Sequence, residues 1–336
     1  MGRMSPFLQQ LRAAITAQPE YYQRGERLLL AVSGGADSIA LLRGMLTFQK
    51  EFSLEIAVIH LNHQLRGEHS DSDAQWVKEL CSRFNTRFFW GERDISAIAK
   101  ESRKGIEETA RLVRYEFIKE IAREEKFSSV AVAHHANDQA ETVLHHILRG
   151  TGMAGLSGIP SSRELEEGIQ LIRPMLHISR KDILSYLQEI DQPFLEDATN
   201  QENHYTRNRI RNQLLPLLKE EYNQNIEAAL LRLSTQAKEL QEFITTEANK
   251  ILDDAIQDIS PHVCRLSRSR FIDVPTHLVR ACFVELWKRQ NWSRQKMGYD
   301  NWNRLAELTQ CKKNHTFPSG INVTQRNDIM MLERRE

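Results

Sequence analysis

Cysteine is scarce in this chain: Cys81, Cys264, Cys282 and Cys311 are the only four in 336 residues. No two stand as CxxC, and their wide spacing argues against a zinc site or an iron–sulfur cluster. Reduced thiols in or near the core are expected instead. Long apolar runs are missing too, so no segment approaches the roughly 20 residues that cross a bilayer. The start, MGRMSPFLQQLRAAIT, has no apolar run followed by a small-residue cleavage site. A cytoplasmic protein with no signal peptide and no membrane partner is expected. An excess of charge is absent as well, with 45 Lys+Arg against 45 Asp+Glu.

What charge there is lies unevenly. Residues 265–336 hold 14 Lys+Arg against 7 Asp+Glu, and residues 220–264 hold 3 against 9. A basic end on a neutral chain suits a polyanion, and it equally suits a solvated face. Trp287, Trp292 and Trp302 fall in that basic stretch, where core packing is the first expectation and stacking on nucleotides the second.

From residue 26 the chain alternates apolar runs with helical patterns. LLLAV (28–32), LEIAVIHL (54–61), RFFW (87–90) and SSVAVAHH (128–135) read as strands. ALLRGMLTF (40–48), SDSDAQWVKELCSRF, IEETARLVRYEFIKEIAREE (106–125) and AETVLHHIL (140–148) read as helices between them. This predicts an α/β fold built on a parallel sheet, with ligands at the carboxyl ends of the strands. RGTGMAGLSGIP (149–160) reads as a glycine-rich loop. Beyond LLPLL (214–218) the alternation stops. The expected organisation is a catalytic domain over 1–217 and a smaller, mainly helical domain over 218–336.

Ser33, Gly34, Gly35, Ala36, Asp37 and Ser38 join the first strand to the first helix of this pattern. Adjacent glycines let backbone N–H groups approach an anion, and the helix that follows offers its positive end. Asp37 repels a phosphate unless a divalent cation bridges the two, which makes Mg2+ an expected cofactor. The Gly-Lys-Ser/Thr of a Walker loop is absent, so simple γ-phosphate transfer is not implied. A tight turn with no ligand is the bland alternative.

This hexapeptide resembles the PP-loop of the N-type ATP pyrophosphatases, which cleave ATP between the α and β phosphates and transfer AMP to a substrate oxygen. HLNHQLRGEHSDSDA (60–74), EETARLVRYEF (107–117), AHHANDQAETVLHHILRGTGMAGLSGIP (133–160), RPML and NHYTRNRIRNQLLP (203–216) narrow the resemblance to the tRNA(Ile)-lysidine synthetase family. It is dense over about residues 25–218 and looser to the C-terminus, and it suggests the short form without the extra domain of larger members. A tRNA thiolase is disfavoured by the missing CxxC. Another amidating synthetase and a non-catalytic ATP-sensing module remain the alternatives. The resemblance implies ATP as substrate, tRNA(Ile) with a CAU anticodon and free L-lysine as partners, and lysidine as product, with AMP and pyrophosphate released. A homodimer is left open.

The same resemblance, laid on the residues, gives the expected site. Ser33 to Ser38, His60 and His134 hold ATP, and Asp37 and Asp138 face the metal. Asp138 and Glu141 share one helical face, with Glu141 the candidate for the lysine amine; dipole compensation at a helix start is the competing reading. Arg111 and Arg114 also lie three apart, and Arg114 is favoured as the transition-state contact. Asp37, Arg114, Asp138 and Glu141 thus form the catalytic set. Arg207, Arg209 and Arg211 suit tRNA phosphate, or a solvated basic helix start.

Overall fold

Leu28, Leu29 and Leu30 have no exposed surface, although side chains along a strand alternate between two faces. Both faces must therefore be covered. Leu28 and Leu30 pack into one apolar cluster and Leu29 into another, as a central parallel strand requires.

The computed structural model describes residues 4–64, 68–195 and 206–334. The chain divides into a unit over residues 1–234 and a unit over residues 235–336. The first unit opens with α1 (Pro6–Thr16), β1 (Arg27–Ala31), α2 (Ala36–Phe48), β2 (Glu55–Asn62), α3 (Glu68–Arg83) and β3 (Arg87–Glu92). Then come α4 (Ile95–Ser102), α5 (Ile106–Glu124), β4 (Ser129–Ala131), α6 (Ala136–Leu148) and α7 (Met153–Leu156). β5 (Ser162–Glu166), β6 (Ile169–Ile172), α8 (Arg180–Glu189), α9 (Thr206–Arg209), a π-type turn (Ile210–Leu214) and α10 (Leu215–Glu221) follow. The division falls within α11 (Ile226–Ala255), whereas position 217 lies on α10.

The sheet order is β3-β2-β1-β4-β6-β5. Every pairing is parallel except the edge pair β5 and β6. β2 and β3 extend the sheet to one side of β1, and β4 starts the other side. The order therefore reverses between β1 and β4, where the chain ends leaving the two strands splay into a crevice. α5 precedes β4, so it runs back along the sheet with its N-terminal half at the carboxyl edge. Phe117, Ile118 and Ala122 anchor it on Leu29, Ala57 and Ile59.

The second unit contains β7 (Ile256–Ser260), β8 (Val263–Ser267), α12 (Thr276–Arg289), α13 (Tyr299–Leu308), β9 (His315–Phe317), β10 (Ile321–Arg326) and β11 (Ile329–Arg334). Its helices were expected; its five-stranded antiparallel sheet, order β7-β8-β11-β10-β9, was not. Trp287 is fully buried, with Trp292 and Trp302 edge-on to it at 5.0 and 5.3 Å between ring centres. These rings build the core, the first of the two expectations. Cys81, Cys264 and Cys282 are buried and unbridged.

Candidate active site

The loop after β1 is shaped by Ser38, which reaches back from the first turn of α2. Its Oγ accepts from the N–H of Ser33 at 3.1 Å and of Gly34 at 3.2 Å, and donates to the Gly35 carbonyl at 2.9 Å. Gly34 has φ +97°, a conformation that side chains disfavour. A Cβ there would lie 2.6 Å from Leu195 Cδ1, and the Leu195 N–H donates to the Gly34 carbonyl at 3.0 Å. Gly35 caps α2 with no side-chain hydrogen bond, so the free N–H groups of the first turn face the crevice.

Asp37 sits on that first turn with 27 % of its side chain exposed. Its Oδ2 lies 3.5 Å from both His135 Nε2 and Arg180 Nη1. Its Oδ1 is buried without a hydrogen-bond partner. An anionic oxygen is costly to bury unpaired, so this atom fits a cation.

His135 caps α6. Its Nδ1 accepts from the Asn137 N–H at 3.2 Å, and its own N–H donates to Asp138 Oδ2 at 3.0 Å. With Nδ1 accepting, the ring proton sits on Nε2, and that atom lies 3.5 Å from Oδ2 of both Asp37 and Asp138. One buried imidazole thus ties the phosphate loop to α6.

Asp138 and Glu141 share a face of α6, as their spacing predicts. Arg207 and Arg211 close over them from α9 and the turn after it. Asp138 Oδ1 accepts from Arg207 Nη2 at 3.2 Å and Arg211 Nη2 at 3.0 Å. Glu141 Oε2 accepts from Arg207 Nε at 3.1 Å and Arg211 Nη2 at 3.0 Å, and Arg211 Nε bonds Oε1. Burial works to raise the Asp138 carboxyl; His135, its backbone N–H and Arg207 outweigh that and hold it below the usual range. Arg209 is exposed. The three arginines are therefore not equivalent.

His60, at the end of β2, bonds the Val32 carbonyl through Nδ1 at 2.8 Å, which leaves Nε2 as acceptor. Burial lowers its pKa. Arg114 Nη2 meets His63 Nε2 at 3.2 Å, and burial, then Arg114, pushes His63 down to about 4. His134 falls to about 4, first through burial, with Asp138 opposing. Its Nδ1 accepts from Arg173 Nε at 3.2 Å. Arg66, which the sequence places near the nucleotide in the loop after β2, lies outside the described residues.

Sequence position sets His135 beside His134 at the ligand edge of the sheet and favours function for both without naming a partner for His135; it gives no role to Arg173 or Arg180. His135 carries a findable signal: with Asp138 it forms a capping pair at the start of a helical pattern. Arg180 meets Asp37 only because α8 packs against α2.

A phosphate-shaped loop, a carboxylate with an orphan oxygen and an acidic pair on the next helix lie together at a sheet's switch point. The PP-loop domain family matches residues 6–218. The tRNA(Ile)-lysidine synthase of Chlorobaculum tepidum is 38 % identical over 303 residues, covering 89 % of this chain and 88 % of that protein. The chain belongs to the PP-loop family, in its tRNA(Ile)-lysidine synthase branch. The synthase of Clostridioides difficile is 38 % identical over 318 residues, 94 % of this chain and 68 % of that one. In fold, the chain is similar to a U34-tRNA thiolase from Methanococcus maripaludis that carries a [4Fe-4S] cluster. It superposes with TM-score 0.56 at 15 % identity, covering 68 % of this chain and 77 % of that one. That likeness concerns the fold alone: Cys81, Cys264 and Cys282 are buried here, and among the described residues no three His, Cys, Asp or Glu side chains are arranged to hold a metal.

Proposed function

We propose that this chain is an ATP-dependent ligase that joins free L-lysine to carbon 2 of the wobble cytidine in tRNA(Ile) with a CAU anticodon. The observation that carries the reading is the Asp37–His135–Asp138 arrangement, which sets a phosphate loop beside an acidic pair in a family of this activity. In the first step the cytidine 2-oxygen attacks the α-phosphorus of ATP, and pyrophosphate leaves. In the second the lysine ε-amine attacks carbon 2, AMP leaves, and the amine loses a proton.

Ser33 to Ser38 and the first turn of α2 hold the phosphates, with His60 and His134 at the strand ends beside them. Both imidazoles are held neutral by burial and so add no charge of their own. Arg114 faces the charge that develops on the leaving group. Asp37 would hold Mg2+ through its orphan Oδ1. Mg2+ when bound neutralises phosphate charge and orients the α-phosphate. Asp138 has Oδ1 shared by two guanidiniums and Oδ2 taken by the His135 N–H, so its share in the metal requires one of these to withdraw.

Glu141, with Asp138, is the anionic receptor for the lysine ammonium. Arg207 and Arg211 hold both carboxylates in place until the amine arrives. Arg209 is left for tRNA phosphate. In the second unit Arg294, Lys296, Lys312 and Lys313 are exposed, and we assign them to the tRNA body, where phosphate contacts position and the active site reads the base. Arg289 is spent on Asp253 and Asn249.

The half-reaction tests this order. With tRNA(Ile) transcript and ATP but no lysine, pyrophosphate is released in a burst close to the enzyme concentration. Steady pyrophosphate release without tRNA contradicts it.

A further inference from the structure

Arg173 is 6 % exposed. It donates from Nε to His134 and from Nη1 to the Pro160 carbonyl at 2.8 Å. Both acceptors are neutral. Arg163, on the edge strand β5, lies over the Tyr115 ring at 5.0 Å. Arg111, one turn earlier on α5, lies over the same ring at 5.8 Å. Among the described residues, no carboxylate is within ion-pair distance of any of the three. Burial depresses the Arg173 pKa; Tyr115 opposes this, while Arg163 and Arg111 add to it. No acidic side chain counts among its principal influences.

Three guanidiniums gathered on one phenol, one of them buried, is an arrangement that like-charge repulsion disfavours. By contrast Arg207 and Arg211, which are only half-buried, each meet carboxylates. Among the described residues this cluster has no counter-charge. Planar forks around an aromatic face match a phosphate with a base stacked nearby.

We propose that Arg111, Arg163 and Arg173, gathered around Tyr115, form a subsite for a phosphodiester of the tRNA anticodon loop. This rests on the reading that tRNA is the substrate. Phosphate could also come from ATP, but placement favours RNA. β6 is two strands from β1, on the side away from β2, which sets Arg173 roughly 10 Å from the phosphate loop at ordinary strand spacing. Arg111 and Arg163 are open to solvent, as a macromolecular ligand needs. The N-terminal half of α5 and the end of β6 both lie at the carboxyl edge of the sheet, so the subsite borders the crevice where the base must enter.

The test uses the full chain with Arg111→Gln and Arg163→Gln together, and Arg24→Gln as a charge control at the opposite edge of the sheet. Arg173 is left alone because its loss would disturb packing. Binding of tRNA(Ile) transcript is measured over a range of salt, and ATP binding and thermal melting are measured alongside. The expected result is an affinity for tRNA about tenfold weaker, with a salt slope reduced by about 0.7 to 0.9 per phosphate lost. ATP affinity, melting temperature and the Arg24→Gln variant stay at parental values. Unchanged tRNA affinity and slope overturn the proposal. So does a loss of ATP affinity instead, which gives the cluster to the nucleotide, or an equal loss in Arg24→Gln, which makes it a bulk-charge effect. A parent that binds tRNA yet makes no lysidine, while the double variant shows the weakened slope, fails the catalytic reading and leaves this one standing.

Discussion

Charge at this site is managed one residue at a time. Asp37 keeps one oxygen on His135 and Arg180 and leaves the other without a partner; Asp138 spends Oδ1, and Glu141 both oxygens, on Arg207 and Arg211. Replacing Asp37 with Ala is therefore predicted to leave the fold intact while AMP and pyrophosphate release fall on the order of 10²- to 10³-fold, the scale of a lost metal anchor. Turnover near the parental rate at saturating magnesium contradicts that role. The histidines give a prediction about stability. His63 and His134 are held at about 4 in the folded chain against an ordinary 6.5. Below about 6.5 the unfolded chain takes up protons that the folded chain refuses, so stability rises with pH in this window. The contribution is whole above about 6.5 and is lost as pH falls toward about 4. Urea midpoints taken across that range should drop on acidification, and His63→Gln should flatten the drop. An unchanged pH profile in that variant would show that His63 is not the group titrating.

The elements that make the crevice depend on one backbone conformation. Gly34 holds φ +97° against Leu195. Gly34→Ala is predicted to cost about 1–3 kcal/mol and to lower ATP affinity, since the N–H groups that cradle phosphate tilt with the loop. Adding Leu195→Ala should recover part of the loss by removing the clash but not the backbone strain; full recovery or none contradicts this account of Gly34. The loop was legible in the sequence because all its parts are contiguous: an apolar strand, two glycines and a helix. Asp138 and Glu141 were legible for the same reason, being one turn apart on a patterned helix. Their partners were not, because Arg207 and Arg211 come from 66 to 73 residues away and an isolated basic run reads equally as a solvated surface. The sheet of the second unit was missed despite a local signal. INVTQR and IMMLER flank Asn327 and Asp328, and Asn327 takes φ +55° to close the hairpin. That is a two-residue turn between alternating runs, overlooked because the helices beside it carry the stronger period.

At the scale of the whole molecule, the family match and the compact division do different work. The PP-loop family covers residues 6–218, while the first unit continues to Ser234. The added stretch is not spare: Leu230 is buried with Ala140, Val143 and Ile210, and Glu227 accepts from Asn137 at 2.9 Å. It braces the helix that bears Asp138 and Glu141. Among the described residues no helix is long and apolar enough to cross a membrane. The central claim is that lysine becomes part of the tRNA at ATP's expense. It is tested most directly by incubating the full chain with tRNA(Ile) transcript, ATP and labelled lysine, then digesting the RNA to nucleosides. The account predicts label in a modified cytidine, one AMP formed for each lysine retained, and none without ATP. Unlabelled cytidine at the wobble position after AMP has been released would contradict it.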